Sequence, residues 1–276
     1  MAFDLSSPIL SHQRLNPDHF LLTLEAPSIA RRARPGQFVM LQVREGTDPL
    51  LRRPMSLYRV PGGRRGRVQI LYKVVGEGTR HLSRQPAGAR LRLLGPLGNG
   101  FTLPPRRPRA RSAGPAPLPV LVVGGIGIAI FPYVVEALKL GRLRPRLLFG
   151  ARSRRDLVAL PFFRSHRVPM TLATEDGSAG RRGFVTGPLQ RLLEEAARRG
   201  ESIELYVCGP TPMMRAVAEL ARRHEVRCQM ALEAHMPCGI GVCLGCVVRC
   251  REDDGGPPFR RVCTEGPVFE AQRVIL

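Results

Sequence analysis

Over the first hundred positions short apolar, β-rich runs alternate with Gly/Pro turns: His19 to Glu25, Gln37 to Val43, Met55 to Val60 and Val68 to Val75. Such runs predict strands, and strands at this spacing predict a small antiparallel β-barrel. From Pro104 to Pro119 the run PPRRPRARSAGPAPLP has no apolar period and many chain breakers. It reads as a linker or long surface loop and marks a domain boundary.

Beyond it the pattern changes. Leu118 to Val123, Arg146 to Phe149, Val168 to Ala173 and Ile203 to Val207 read as buried-type strands; Ile126 to Leu140, Gly187 to Arg199 and Pro212 to Arg223 read as helices. Strands alternating with helices at this spacing predict a doubly wound parallel sheet with crossover helices. The tail from Glu233 has no such period and must be held by something else. The expected organisation is a β-barrel domain at 1–103, a linker at 104–118, an α/β domain at 119–232 and a short C-terminal subdomain at 233–276. No internal repeat is visible.

The length of 276 residues suits two domains that each bury a core, and a 43% hydrophobic content supports folding. No run of 18 apolar residues and no signal-like layout in Met1 to Leu10 occurs, so a cytoplasmic protein without a membrane span is expected. The formal charge of +21 invites a nucleic-acid reading. However, 41 of the 43 basic residues are Arg, only Lys73 and Lys139 being Lys, and they are scattered rather than clustered. Scattered cations form a solvated basic surface, and no nucleic-acid partner is expected.

The seven cysteines are absent from the first 207 residues, and five lie between Cys238 and Cys263. Their order is Cys238-x4-Cys243-x2-Cys246-x16-Cys263, and the opening has the spacing of plant-type ferredoxins, in which four thiolates hold a 2Fe-2S cluster. Gly239, Gly241 and Gly245 suit a loop that must adopt positive φ and approach a cluster closely. Zinc also takes four cysteines, but favours a C-x2-C pair on each side. Cys250 reads as a bystander, and Cys228, within the alternating run Val226 to Leu232, as a core thiol.

Arg53-Pro54-Met55-Ser56 carries a cation and, three residues on, a hydroxyl; here the chain resembles the ferredoxin-reductase superfamily, whose barrel motif is Arg-x-x-Ser. The resemblance implies an FAD-binding barrel, with Arg53 pairing with the pyrophosphate and Ser56 near the reactive flavin nitrogen. Leu71-Tyr72-Lys73 with Gly78-Thr79 matches the second flavin element, a strand along the isoalloxazine and a turn opening a short helix whose N–H groups face phosphate. The plain alternative is an ordinary strand, with Thr79 capping Arg80 to Arg84. Gly95 to Phe101 resembles the family's close of the barrel domain.

In the second domain Gly124, Gly125 and Gly127 lie between a strand and a helix, where glycines admit a dinucleotide pyrophosphate. The family's leading third Gly is Val123 here, and its Pro comes later, at Pro132. A turn that merely packs helix on strand is the alternative. Thr174 to Ser178, including Asp176, and Cys208-Gly209-Pro210 match further family segments; the resemblance places Cys208 facing the nicotinamide. Gly150 to Arg155 carries no acid after the second strand, which by itself leans toward NADP; the resemblance implies NAD.

With its short cysteine tail, Glu233 to Met236 before it and Gly266 to Phe269 after it, the chain resembles over nearly its full length the electron-transfer subunit of a two-subunit dihydroorotate dehydrogenase. That resemblance implies an NAD-linked oxidoreductase subunit of pyrimidine biosynthesis, a relay from NAD(H) through FAD and a 2Fe-2S cluster. The implied partner is an FMN-containing catalytic subunit in a heterotetramer of two plus two. Alternatives are the small subunit of a sulfide dehydrogenase or NADH-dependent ferredoxin:NADP oxidoreductase, whose Asp-Gly-Thr-Gly is here Ala234-His235-Met236-Pro237, and a zinc-stabilised basic module.

Overall fold

The computed structural model of the chain describes residues 2–44, 46, 48–62, 66–104, 116–251 and 257–276. Most of the expected linker, 105–115, lies outside the described residues. The chain forms two compact units: Met1–Gly100 with Glu233–Val248 and Phe259–Pro267, and Phe101–Leu232 with Arg249–Pro258 and Val268–Leu276. The cysteine tail is thus shared between them.

The first unit is a six-stranded antiparallel sheet of β1 (Phe3–Arg14), β2 (His19–Glu25), β3 (Phe38–Gln42), β4 (Arg53–Ser56), β5 (Arg67–Lys73) and β6 (Arg90–Leu97), in the order β4-β3-β6-β1-β2-β5. Helices α1 (Pro27–Arg32) and α2 (Glu77–Ser83) accompany it. The chain just past β4 hydrogen-bonds β5, Tyr58 N–H to Gln69 O and Gln69 N–H to Arg59 O at 2.8 Å each, which closes the sheet into a barrel. Register places Phe20, Leu22 and Leu24 opposite Tyr72, Ile70 and Val68. Leu22, Leu24, Ile70 and Val68 are fully buried, so this is the interior face.

Two barrel strands were not expected. In β1, Pro8 and a mostly half-exposed pattern blur the alternation. In β6, arginines alternate with the buried Leu91 and Leu93.

The second unit is a seven-stranded sheet in the order β10-β9-β8-β7-β11-β12-β15. Its strands are β7 (Leu118–Gly124), β8 (Arg146–Ala151), β9 (Met170–Thr174), β10 (Arg181–Arg182), β11 (Ile203–Cys208) and β12 (Arg227–Ala231), then β15 (Val268–Glu270); β13 (Val247–Arg249) and β14 (Phe259–Arg261), which lie mostly in the first unit, form a separate pair. All pairings are parallel except β12 with β15. Helices α3 (Phe131–Leu140), α4 (Leu160–Ser165), α5 (Thr186–Arg199) and α6 (Thr211–Arg223) complete it. Val120 to Val123 are fully buried, each contributing about 1.5–3 kcal/mol by leaving water.

The single helix expected from Ile126 to Leu140 is instead a 3-10 turn, Gly125–Ile130, followed by α3. Pro132 explains the break: it lacks an N–H and fits the first turn of an α-helix, not its interior. The end of the tail is held as an antiparallel edge strand. Arg227 bridges Glu204 at 2.7 Å and Glu270 of β15 at 2.6 Å, and Gln229 bonds Glu204 at 3.0 Å and both backbone groups of Thr102 at 2.8 Å. Glu204 is buried, so these partners are what make its charge tolerable there. Among the described residues no helix is long and apolar enough to cross a membrane.

Candidate functional site

In the barrel unit the structure brings Arg53 to Gly78. A Cβ built on Gly78 would stand 2.8 Å from Arg53 Cζ, so the absence of a side chain is what lets the guanidinium lie over the start of α2. Arg53 also donates to Leu51 O. Strand alternation puts Arg53 with Met55 on one face of β4 and Pro54 with Ser56 on the other. The reading of Thr79 as an N-cap is corrected: Gly76 precedes α2, and Thr79, inside the first turn, takes the N–H groups of Val75 and Gly76 at 3.0 and 3.1 Å. This closes the turn between β5 and α2.

Leu71 and Lys73 point away from the interior face, while Tyr72 points into it. The Tyr72 hydroxyl bonds His12 Nε2 at 2.8 Å, its ring stacks on Phe20, and burial pushes its phenol well above the usual range. Leu71, though buried, and Lys73 thus lie on one face of β5 and Tyr72 on the other.

In the sheet unit two turns meet at the C-terminal ends of the adjacent strands β7 and β11, where Val123 pairs with Cys208. A Cβ on Gly127 would come 2.7 Å from the carbonyl carbon of Cys208, and one on Gly124 would come 2.6 Å from Pro210. These glycines therefore serve close packing of one turn on the other. Gly125 differs: φ is +51° and its Cβ direction is open. Cys208 is buried at the strand end.

An acid stands beside the end of β8, in the loop after β9. Asp176 N–H donates to Arg152 O at 3.2 Å, and Ser178 Oγ bonds both Asp176 (2.6 Å) and the N–H of Arg154 (2.7 Å). The Ser178 hydroxyl and N–H hold the exposed Asp176 carboxyl below its usual range. Tertiary structure thus sets a carboxylate beside Arg152 to Arg154, which no reading of β8 alone reveals.

All four expected metal ligands, Cys238, Cys243, Cys246 and Cys263, lie in the barrel unit, whereas Cys250 lies in the other. All are free thiols. Gly239 and Gly241 have φ of +73° and +87°; Gly245 instead packs against Pro237, 2.9 Å from its would-be Cβ. Leu244, at φ +56°, is a strained loop position that sequence reasoning missed.

Burial pushes the Cys238 thiol up, but the N–H groups of Ile240, Cys243 and Val242 and the Cys243 thiol outweigh it and leave it at about 6. For Cys263, burial first and then Cys246 hold the thiol up at about 11. The Cys263 N–H donates to Cys246 Sγ at 3.4 Å and the Gly245 N–H to Cys243 Sγ at 3.5 Å. A two-iron cluster is held by four cysteine thiolates. The donor set and the N–H groups supporting a thiolate fit the cluster.

A second feature missed from the sequence surrounds this loop: Ile240, Val242, Leu244, Val247 and Phe259 are all exposed apolar side chains of the same unit.

Residues 233–275 match the family described as the iron-sulfur cluster binding domain of dihydroorotate dehydrogenase B. The chain is 35% identical over 275 residues to the dihydroorotate dehydrogenase B (NAD(+)), electron transfer subunit, of Desulforamulus reducens, covering 100% of this chain and 99% of the relative. It is 36% identical to the like-named subunit of Caldanaerobacter subterraneus over 276 residues, all of both chains. The solved NADH-dependent reduced ferredoxin-NADP oxidoreductase, studied for flavin-based electron bifurcation, superposes with a TM-score of 0.81 at 27% identity, covering 98% of this chain and 89% of that one. A Neisseria gonorrhoeae ferredoxin NADP+ reductase with bound FAD and NADP shares the fold, with a TM-score of 0.61 at 19% identity over 80% of this chain and 91% of that one. With full-length identity at this level and its cysteine tail matched, the chain belongs to the family of dihydroorotate dehydrogenase B electron transfer subunits.

Proposed function

We propose that this chain is the electron-transfer subunit that relays electrons between NAD(H) and an FMN-containing dihydroorotate dehydrogenase catalytic subunit in pyrimidine biosynthesis. The observation that carries the reading is the four-cysteine loop of Cys238, Cys243, Cys246 and Cys263, in a chain with relatives of that name along its whole length. A bound flavin exchanges a hydride for single electrons and a 2Fe-2S cluster carries them one at a time, so the two together join a nicotinamide to a one-electron path.

The chain's own residues supply positions and charges. Residues 1–103 form the FAD domain, in which Arg53 neutralises the pyrophosphate, the β5 backbone at Leu71 to Lys73 lies along the ring system, and Ser56 offers a hydroxyl to the flavin. Residues 119–232 form the nicotinamide domain, joined by the linker 104–118. Gly124 to Gly127 and Cys208 to Pro210 make its floor, and Asp176 takes the ribose 2′-hydroxyl. That carboxylate would repel a 2′-phosphate and so favours NAD over NADP. Residues 233–276 hold the cluster on Cys238, Cys243, Cys246 and Cys263.

The exposed apolar side chains Ile240, Val242 and Leu244 alternate with the ligand cysteines and suit burial against the catalytic subunit. The assembly is a cytoplasmic heterotetramer of two plus two.

The test is anaerobic reconstitution of the chain with iron, sulfide and FAD, followed by mixing with the catalytic subunit of a dihydroorotate dehydrogenase. NADH should reduce the partner's FMN only when the reconstituted chain is present. If that partner neither binds nor is reduced, while ferredoxin or sulfide chemistry proceeds, the second reading holds: the small subunit of an NADH-dependent ferredoxin:NADP oxidoreductase or a sulfide dehydrogenase. The 0.81 TM-score favours that reading next.

A further inference from the structure

The two chain segments that carry the cluster cysteines are joined in two places. At one end the backbone does it: Val262 N–H donates to Cys246 O at 3.1 Å and Cys263 N–H to Cys246 Sγ at 3.4 Å. At the other end, the turn between Cys238 and Cys243 meets the Cys263 arm through a side chain. Arg261 Nη1 donates to Gly241 O at 3.1 Å, while Arg261 Nε and its own backbone N–H both donate to Glu265 Oε2, at 3.0 and 2.8 Å. The Arg261 carbonyl in turn accepts from Glu265 N–H at 2.9 Å, so residues 261–265 curl round Cys263.

Gly241 sits against this arm. A Cβ there would stand 2.9 Å from Thr264 Cγ2 and 3.5 Å from Arg261 Nη1. The guanidinium is aimed by a carboxylate at a carbonyl between two ligand cysteines, a charge-assisted arrangement stronger than a neutral bond. Arginine suits this task because its planar fork serves two acceptors at once.

We infer that Arg261, aimed by Glu265, is a positioning residue that clamps the Cys238–Cys243 turn to the Cys263 arm, making the loop receptive to the cluster and placing a fixed positive charge beside it. This deepens the electron-transfer reading and rests on it. Two consequences follow with different signs. Loss of either partner loosens the clamp and makes the cluster easier to remove. Loss of the cation removes charge that favours the reduced cluster, whereas loss of the Glu265 anion removes charge that opposes it.

The test uses the full-length chain reconstituted with iron, sulfide and FAD, as wild type, Arg261→Met, Arg261→Lys and Glu265→Gln. Cluster loss to a chelator is followed by visible absorption, and the cluster midpoint by potentiometric electron paramagnetic resonance. Arg261→Met should lose its cluster about three- to tenfold faster, the range of a partly exposed charged hydrogen bond, and Arg261→Lys should recover part of that. The midpoint should fall in Arg261→Met and rise in Glu265→Gln, while Glu265→Gln also sheds its cluster faster. Wild-type rates and midpoints in both variants, or midpoints moving in the same direction, overturn the inference while leaving the relay intact. Failure of the wild-type chain to take up a two-iron centre overturns the relay reading and this inference together. Should Arg261→Met not fold, Glu265→Gln alone decides: faster loss with a raised midpoint supports the clamp, and anything else ends it.

Discussion

The barrel unit and the parallel-sheet unit build their candidate sites by opposite means. On the barrel the working parts are side chains: Arg53 lies over Gly78, and four cysteines with Arg261 line a loop. In the sheet they are mostly backbone, two glycine turns so close that a methyl group on Gly127 would meet the Cys208 carbonyl. A side-chain site fails when a functional group is removed. A backbone site fails when an atom is added.

The largest effect that separates the two should come from Cys263→Ser. It should abolish the paramagnetic two-iron signal while leaving flavin uptake unchanged; retention of a full cluster would break the assignment of ligands. Next comes Arg53→Ala, which should weaken FAD binding about 10- to 100-fold, the scale of a lost charge-assisted contact, measured by titrating the flavin-free protein. An unchanged dissociation constant would move the pyrophosphate elsewhere. Gly127→Ala tests the backbone side of the comparison. Crowding should cost about 1–3 kcal/mol of stability, read as a lower thermal midpoint together with a raised KM for NADH.

The smallest effect is expected for Asp176→Asn, which should reduce the preference for NADH over NADPH several-fold without changing stability. Because Ser178 holds this carboxyl below its usual range, it stays ionised down to acid pH, and the wild-type KM for NADH, which has no 2′-phosphate to titrate, should be flat from about pH 8 to 5. A KM for NADH that climbs steeply within that window would remove Asp176 from the binding of the ribose.

Legibility differs between the regions for the same reason. The strands β2 and β5 are readable as short apolar runs bounded by turn residues, and the cysteine loop because ligand spacing is a local property. β1 was hidden by Pro8 and by its half-exposed pattern. The break at Ile130 was visible in principle, since Pro132 can open a helix but not continue one. The alternative in which Thr79 caps Arg80 to Arg84 fails because Thr79 is the third helical residue and takes the N–H of the true cap, Gly76, a backward bond that a Thr ahead of a helix does not announce.

What the sequence determined by itself is the chemistry of the tail and the succession of a barrel and an α/β unit, because cysteine spacing and apolar period are written in consecutive residues. Tertiary structure alone decided which acid stands beside the second sheet strand and which of 41 arginines braces the thiolate loop. Asp176 and Arg152 lie in the loops after different strands, and Arg261 and Gly241 are twenty residues apart in sequence. Their meeting is set by sheet order and by a curled chain, not by any local pattern.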